Sequence, residues 1–81
     1  MQDDWRLLRG QDEYLNNVQL KYCLYAPQTR SNDHDHCEFC MEKFVVDYPV
    51  HAYCTLDRGI WICKDCFEDF VKHFNWQLVE I

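Results

Sequence analysis

The chain has 81 residues, 14 acidic and 8 basic, for a formal charge of −6. A core of this size is marginal without a staple, yet 48% of residues are hydrophobic and three Trp, five Tyr and five Phe are present, too apolar for a disordered acidic tail. No segment approaches the ~20 apolar residues of a membrane helix, and Met1-Gln2-Asp3-Asp4 lacks the basic-then-apolar start of an export signal, so a cytoplasmic protein is expected.

In chain order, Trp5, Leu7 and Leu8 open the sequence, and Gln11-Asp12-Glu13-Tyr14-Leu15 behind Gly10 reads as a short helical turn. Val18 to Tyr25 alternates, with Val18, Leu20, Tyr22 and Leu24 on one face and Gln19, Lys21, Cys23 and Tyr25 on the other, the signature of a half-buried strand. Pro27 ends it. Gln28 to His36 is polar throughout and predicts an exposed loop, with His34 and His36 solvated.

After Cys37-Glu38-Phe39-Cys40 comes the apolar run Phe44-Val45-Val46. Val50 to Leu56, a turn at Asp57-Arg58-Gly59 and Ile60-Trp61-Ile62 predict a β-hairpin, with Gly59 supplying a positive φ. From Cys63 the period changes. Cys66, Phe67, Phe70, Val71 and Phe74 fall at helical spacing against Lys64, Asp65, Glu68, Asp69, Lys72 and His73, which predicts an amphipathic helix stopped at Asn75. Trp76 to Ile81 is expected to form a short strand beside Val18–Tyr25.

Six cysteines without an export signal point to metal rather than disulfides, because four of them form two Cys-x2-Cys pairs. Two intervening residues let a tight turn aim both sulfurs at one point, so each pair supplies half of a tetrahedron. Cys37, Cys40, Cys63 and Cys66 are therefore the expected ligands of one structural Zn²⁺. The second pair begins a helix, where free backbone N–H groups stabilise thiolate charge. Cys23 and Cys54 are expected as small buried groups in strands, and His51 and His73 as surface residues.

The order of knuckle, hairpin and helix-borne pair, carried by Cys37-Glu38-Phe39-Cys40, the turn at Asp57-Arg58-Gly59 and Ile62-Cys63-Lys64-Asp65-Cys66-Phe67, resembles the treble-clef class of zinc fingers over roughly residues 35–74. The chain also looks like small bacterial proteins of unknown role that join such a finger to a short aromatic strand. The resemblance implies a small α+β fold in one domain: an N-terminal strand segment over 1–27, a loop over 28–36, and a finger with a C-terminal strand over 37–81. It departs from the class in having Met41, not glycine, after the second cysteine. Rubredoxin-like iron binding fits less well, since neither of its pairs begins a helix.

Four thiolates leave no open coordination position, so an enzyme is not expected. The basic residues are scattered singly, which disfavours nucleic acid, although some treble clefs bind it. A protein partner is expected, met through the acidic surface and spare aromatics among Trp5, Tyr25, Tyr48 and Trp76. One version is an immunity-like inhibitor covering a basic enzyme. The sequence leaves the oligomeric state open.

Overall fold

The computed structural model describes residues 5–26, 34–47 and 50–80. Two 3₁₀ turns, Trp5–Leu7 and Gln11–Glu13, precede β1 (Gln19–Leu24), β2 (His34–His36), β3 (Lys43–Val45), β4 (His51–Thr55), β5 (Trp61–Ile62), α1 (Lys64–Phe74) and β6 (Gln77–Leu78). The result is a small mixed α+β structure. One sheet has the order β5-β4-β1-β6, and β2 pairs with β3 in a second.

β1 runs antiparallel to β4 and parallel to β6. The terminal strand thus lies beside β1 as the sequence suggests; residues 27–33, including Pro27, and Ile81 fall outside the described residues. The polar stretch before Cys37 is not all loop. His34–His36 pairs antiparallel with Lys43–Val45, with Asp35 opposite Phe44. Its polar composition is accommodated because His34 and His36 face outward while Asp35 accepts a hydrogen bond from the Tyr25 hydroxyl at 2.7 Å.

The register of the larger sheet divides the core between two faces. Directly opposed residues share a face, so Tyr53 with Ile62 lies on one side and Cys54 with Trp61 on the other. The first side receives α1, whose Phe67 stacks on Tyr53 at 3.7 Å and 6°. The second is closed by Phe44 and Tyr25 around Trp61, with Tyr25 and Trp61 centroids 4.9 Å apart. The two-face division explains a departure from the simple alternation expected of β1. Leu20 is buried, but Tyr22 and Leu24 on the same face are about half exposed because α1 does not extend over them, whereas Tyr25 sinks into the other cluster.

Helix α1 buries Cys66, Phe70 and Phe74. It ends at Asn75, whose φ of 56° is left-handed; the Asn75 N–H donates to Lys72 O, and the Trp76 N–H to Val71 O at 3.1 Å. Acidic Asp65 in the first turn and Lys72 with His73 in the last complement the helix dipole.

The hairpin forms where expected, but its positive φ belongs to Arg58 (62°), and Gly59 is not left-handed. The Asp57 carboxylate fixes this turn by accepting from the Thr55 hydroxyl at 2.7 Å and the Gly59 N–H at 2.9 Å. Those two donors hold the Asp57 carboxyl below its ordinary pKa.

Candidate metal centre

The two Cys-x2-Cys turns converge. The sulfurs of Cys37, Cys40, Cys63 and Cys66 all lie within 4.8 Å of one another, and those of Cys40 and Cys63 are 3.6 Å apart. A tetrahedral Zn–S shell with bonds of about 2.3 Å has edges of about 3.8 Å, so the four sulfurs are spaced to hold a metal ion. All donors are soft sulfur, a set consistent with zinc.

Each turn is held by backbone geometry. In the first, the Met41 N–H donates to Cys37 O at 3.1 Å and the Cys37 N–H to Glu42 O at 2.8 Å, closing the knuckle between β2 and β3. Phe39, between the two cysteines, is buried and stacks on Phe70 at 4.9 Å, which ties the knuckle to α1. The second turn runs from β5 into α1. The Glu38 N–H donates to Trp61 O at 2.8 Å and joins the two turns directly. Met41, directly after Cys40, takes φ 69°. The knuckle therefore keeps its left-handed residue without glycine's freedom, at a conformational cost of about 1 kcal/mol.

Electrostatics distinguishes the four thiols. Burial by itself raises the pKa of Cys37, but backbone N–H groups of Cys63, Cys40 and Phe39 point at its sulfur at 3.4–3.5 Å and bring it below its ordinary value. Burial and the neighbouring Cys37 charge push Cys63 up, and the same two causes take Cys66 to about 12. Four thiolates packed this closely would need a cation among them, and a divalent metal would supply it.

Sequence reasoning missed the amino-terminal contribution. The Arg6 guanidinium stands 3.5 Å from Cys66 Sγ, pairs with Asp69 at 2.9 Å and lies over the Phe70 ring at 4.5 Å. Gln11 is buried, donating through Nε2 to the carbonyls of Arg6 (2.7 Å) and Glu38 (3.0 Å) and accepting from the Arg9 N–H. The Tyr14 hydroxyl donates to the Glu38 carboxylate. Burial and this acidic partner raise the Tyr14 pKa to about 12. No periodicity marks these residues, because each acts through a long-range polar contact.

The remaining candidates separate. Cys54 is buried and Cys23 half-buried, with their sulfurs 3.8 Å apart and outside the four-sulfur cluster. His34 and His36 lie outside the four-sulfur cluster, with their rings 5.0 Å apart on the exposed side of β2. His51 and His73 are exposed, the first against Tyr22 and the second near Asp12. Of the proposed spare aromatics, Tyr25 and Trp76 are core residues, since each has a ring cluster and a hydrogen-bond partner to satisfy it. Trp5 is exposed, and Tyr48 lies outside the described residues.

No family model, curated protein or solved structure matches the chain. The chemistry of the centre therefore rests on its own geometry: a small α+β chain with four cysteines at metal-binding distance. Among the described residues no helix is long and apolar enough to cross a membrane.

Proposed function

We propose that the chain is a treble-clef-like module in which Cys37, Cys40, Cys63 and Cys66 hold one structural Zn²⁺, and that the folded module binds another protein rather than catalysing a reaction. The observation that carries this reading is the convergence of four cysteine sulfurs, three of them on buried residues, on one point. With every tetrahedral position taken by a protein sulfur, the metal has no place for water or substrate and serves to fold the chain.

The order of a knuckle at 37–40, the β4–β5 hairpin and the α1-borne pair supports the treble-clef description. A protein partner is favoured over nucleic acid because the chain carries −6 and its described basic residues are spread over several segments: Arg6 and Arg9 near the amino terminus, Lys21 on β1, Lys43 on β3, Arg58 in the hairpin, and Lys64 and Lys72 on α1.

Elemental analysis of the purified chain is expected to give one zinc per molecule; iron in its place, or no metal in a folded sample, defeats the metal assignment. Fluorescence anisotropy with labelled duplex DNA and single-stranded RNA at low salt is expected to show no binding. Tight binding that weakens steeply with salt would transfer the module to the nucleic-acid class.

A further inference from the structure

Cys23 and Cys54 take no part in the metal centre, and the larger sheet sets them against each other. Cys23 stands opposite Ala52 and Cys54 opposite Lys21 in the β1–β4 ladder, so the two cysteines are diagonal neighbours on one face. Both are free thiols, and their side chains bring the sulfurs to 3.8 Å.

The two sulfurs differ in access. Cys54 is fully buried, whereas Cys23 is half-buried and lines a groove with Lys21, Tyr22, Leu78, Val79 and Glu80. A small reagent therefore meets Cys23 first, with Cys54 behind it. Burial, then the neighbouring Cys23, holds the Cys54 thiol up at about 12, and the charges of Lys21 and Arg58 act the other way. Lys21, directly opposite, thus places a cation beside the sulfur that ionises last.

We infer that Cys23 and Cys54 form a reversible thiol–disulfide pair that reacts with low-molecular-weight disulfides and, once oxidised, ties β1 to β4. The inference stands apart from the protein-binding reading. In the first step Cys23 gives its proton to solvent and its thiolate attacks one sulfur of the small disulfide. A bond between Cys23 and that sulfur forms, the reagent's own S–S bond breaks, and one thiolate leaves. In the second step Cys54 gives its proton to the departed thiolate and attacks the Cys23 sulfur, expelling the other thiolate. Two protein thiols are oxidised to one disulfide, and one small disulfide is reduced to two thiols. The sulfurs close from 3.8 Å to about 2.05 Å in the process. Diagonal positions lie farther apart than directly opposed ones, so the bridge is one that a thiol reductant reopens.

The test incubates the zinc-loaded full chain with glutathione disulfide at a series of ratios to reduced glutathione, and reads intact mass, zinc content and tryptic peptides. Cleavage after Lys21, Arg30, Lys43 and Arg58 puts Cys23 and Cys54 in peptides 22–30 and 44–58, each free of metal ligands. A loss of about 2 Da, a link between these two peptides, full zinc retention and reversal by excess reduced glutathione are expected. The linked form is expected to melt several degrees higher, because the bridge restricts the unfolded chain between positions 31 apart. Cys54→Ala is expected to stop at a glutathione adduct on Cys23. Cys23→Ala is expected to react about tenfold more slowly than the parent, since only the buried thiol of the pair remains.

A persistent glutathione adduct on the parent, links between chains, or links among Cys37, Cys40, Cys63 and Cys66 ahead of the expected one overturn the proposal. A linked form that melts no higher than the reduced chain overturns it too. Should either variant fail to fold, the peptide map of the parent decides alone. A folded starting protein without metal defeats the metal assignment instead, and the same map still decides this pair.

Discussion

Six cysteines divide into two regions that differ in what reaches the sulfur, and the contrast is sharpest between Cys37 and Cys54. In the metal centre, three backbone N–H groups aim at the Cys37 sulfur and lower its pKa. Between β1 and β4, Cys54 is fully buried with Cys23 sulfur 3.8 Å away, and burial followed by the proximity of Cys23 pushes it up to about 12. Burial alone makes a cysteine a small hydrophobe; N–H dipoles directed at the sulfur favour the thiolate, as they do at Cys37.

The largest contrast is expected from removing one sulfur from each region. Cys63→Ser leaves three soft ligands and removes most of a binding free energy of about 10 kcal/mol or more that is also folding free energy. Circular dichroism is expected to show a largely unfolded chain, and a variant melting like the parent breaks the assignment. Cys54→Ala is expected to retain a full equivalent of metal and to lose only about 1–2 kcal/mol in urea denaturation through lost packing. Substoichiometric metal in that variant, or in Cys23→Ala, would erase the distinction between the regions.

Arg6 sharpens the comparison from outside the metal centre, since its guanidinium offsets thiolate charge at Cys66. Arg6→Ala is expected to lower zinc affinity about tenfold in chelator competition, within the range for groups that contact a metal ligand. Unchanged affinity would reduce Arg6 to its pairing with Asp69 and its packing on Phe70.

The strand pair has its own pH signature. Because the folded Cys54 pKa lies at about 12, above the ordinary 9.0, the protonated thiol is favoured in the fold. Its contribution to stability is full below the unfolded pKa and is lost as pH climbs from there through the folded value. The stability difference between parent and Cys54→Ala, measured by urea denaturation at a series of alkaline pH values, is expected to move against the parent as pH rises. A difference independent of pH over that interval contradicts the shift.

The smallest effect concerns Met41. Replacing it with glycine relieves the left-handed strain at φ 69°, and Met41→Gly is expected to gain up to about 1 kcal/mol, less whatever its contact with Arg9 contributes. A loss of stability would mean that the thioether contact outweighs the backbone term.

Much of this arrangement was legible because it depends on local spacing. Cys-x2-Cys turns, the helical stripe ending at Phe74, and the hairpin around Asp57 each follow from residues a few positions apart. The expected β1 alternation failed in part, at Tyr22 and Leu24, because burial there depends on how far α1 extends over the sheet. Likewise His34–His36 became a strand only through its pairing with Lys43–Val45. The positive φ moved from Gly59 to Arg58 because the Asp57 carboxylate organises the turn.

The sequence by itself determined which four cysteines would meet, since short-range turn geometry and ligand chemistry leave little freedom in that choice. Only the tertiary structure decided which side chains surround them. Arg6 beside Cys66, Gln11 bridging to Glu38, and β6 beside β1 all depend on contacts between distant segments. Local periodicity records which face of an element is apolar, but not which distant neighbour arrives to cover it or how far that cover reaches.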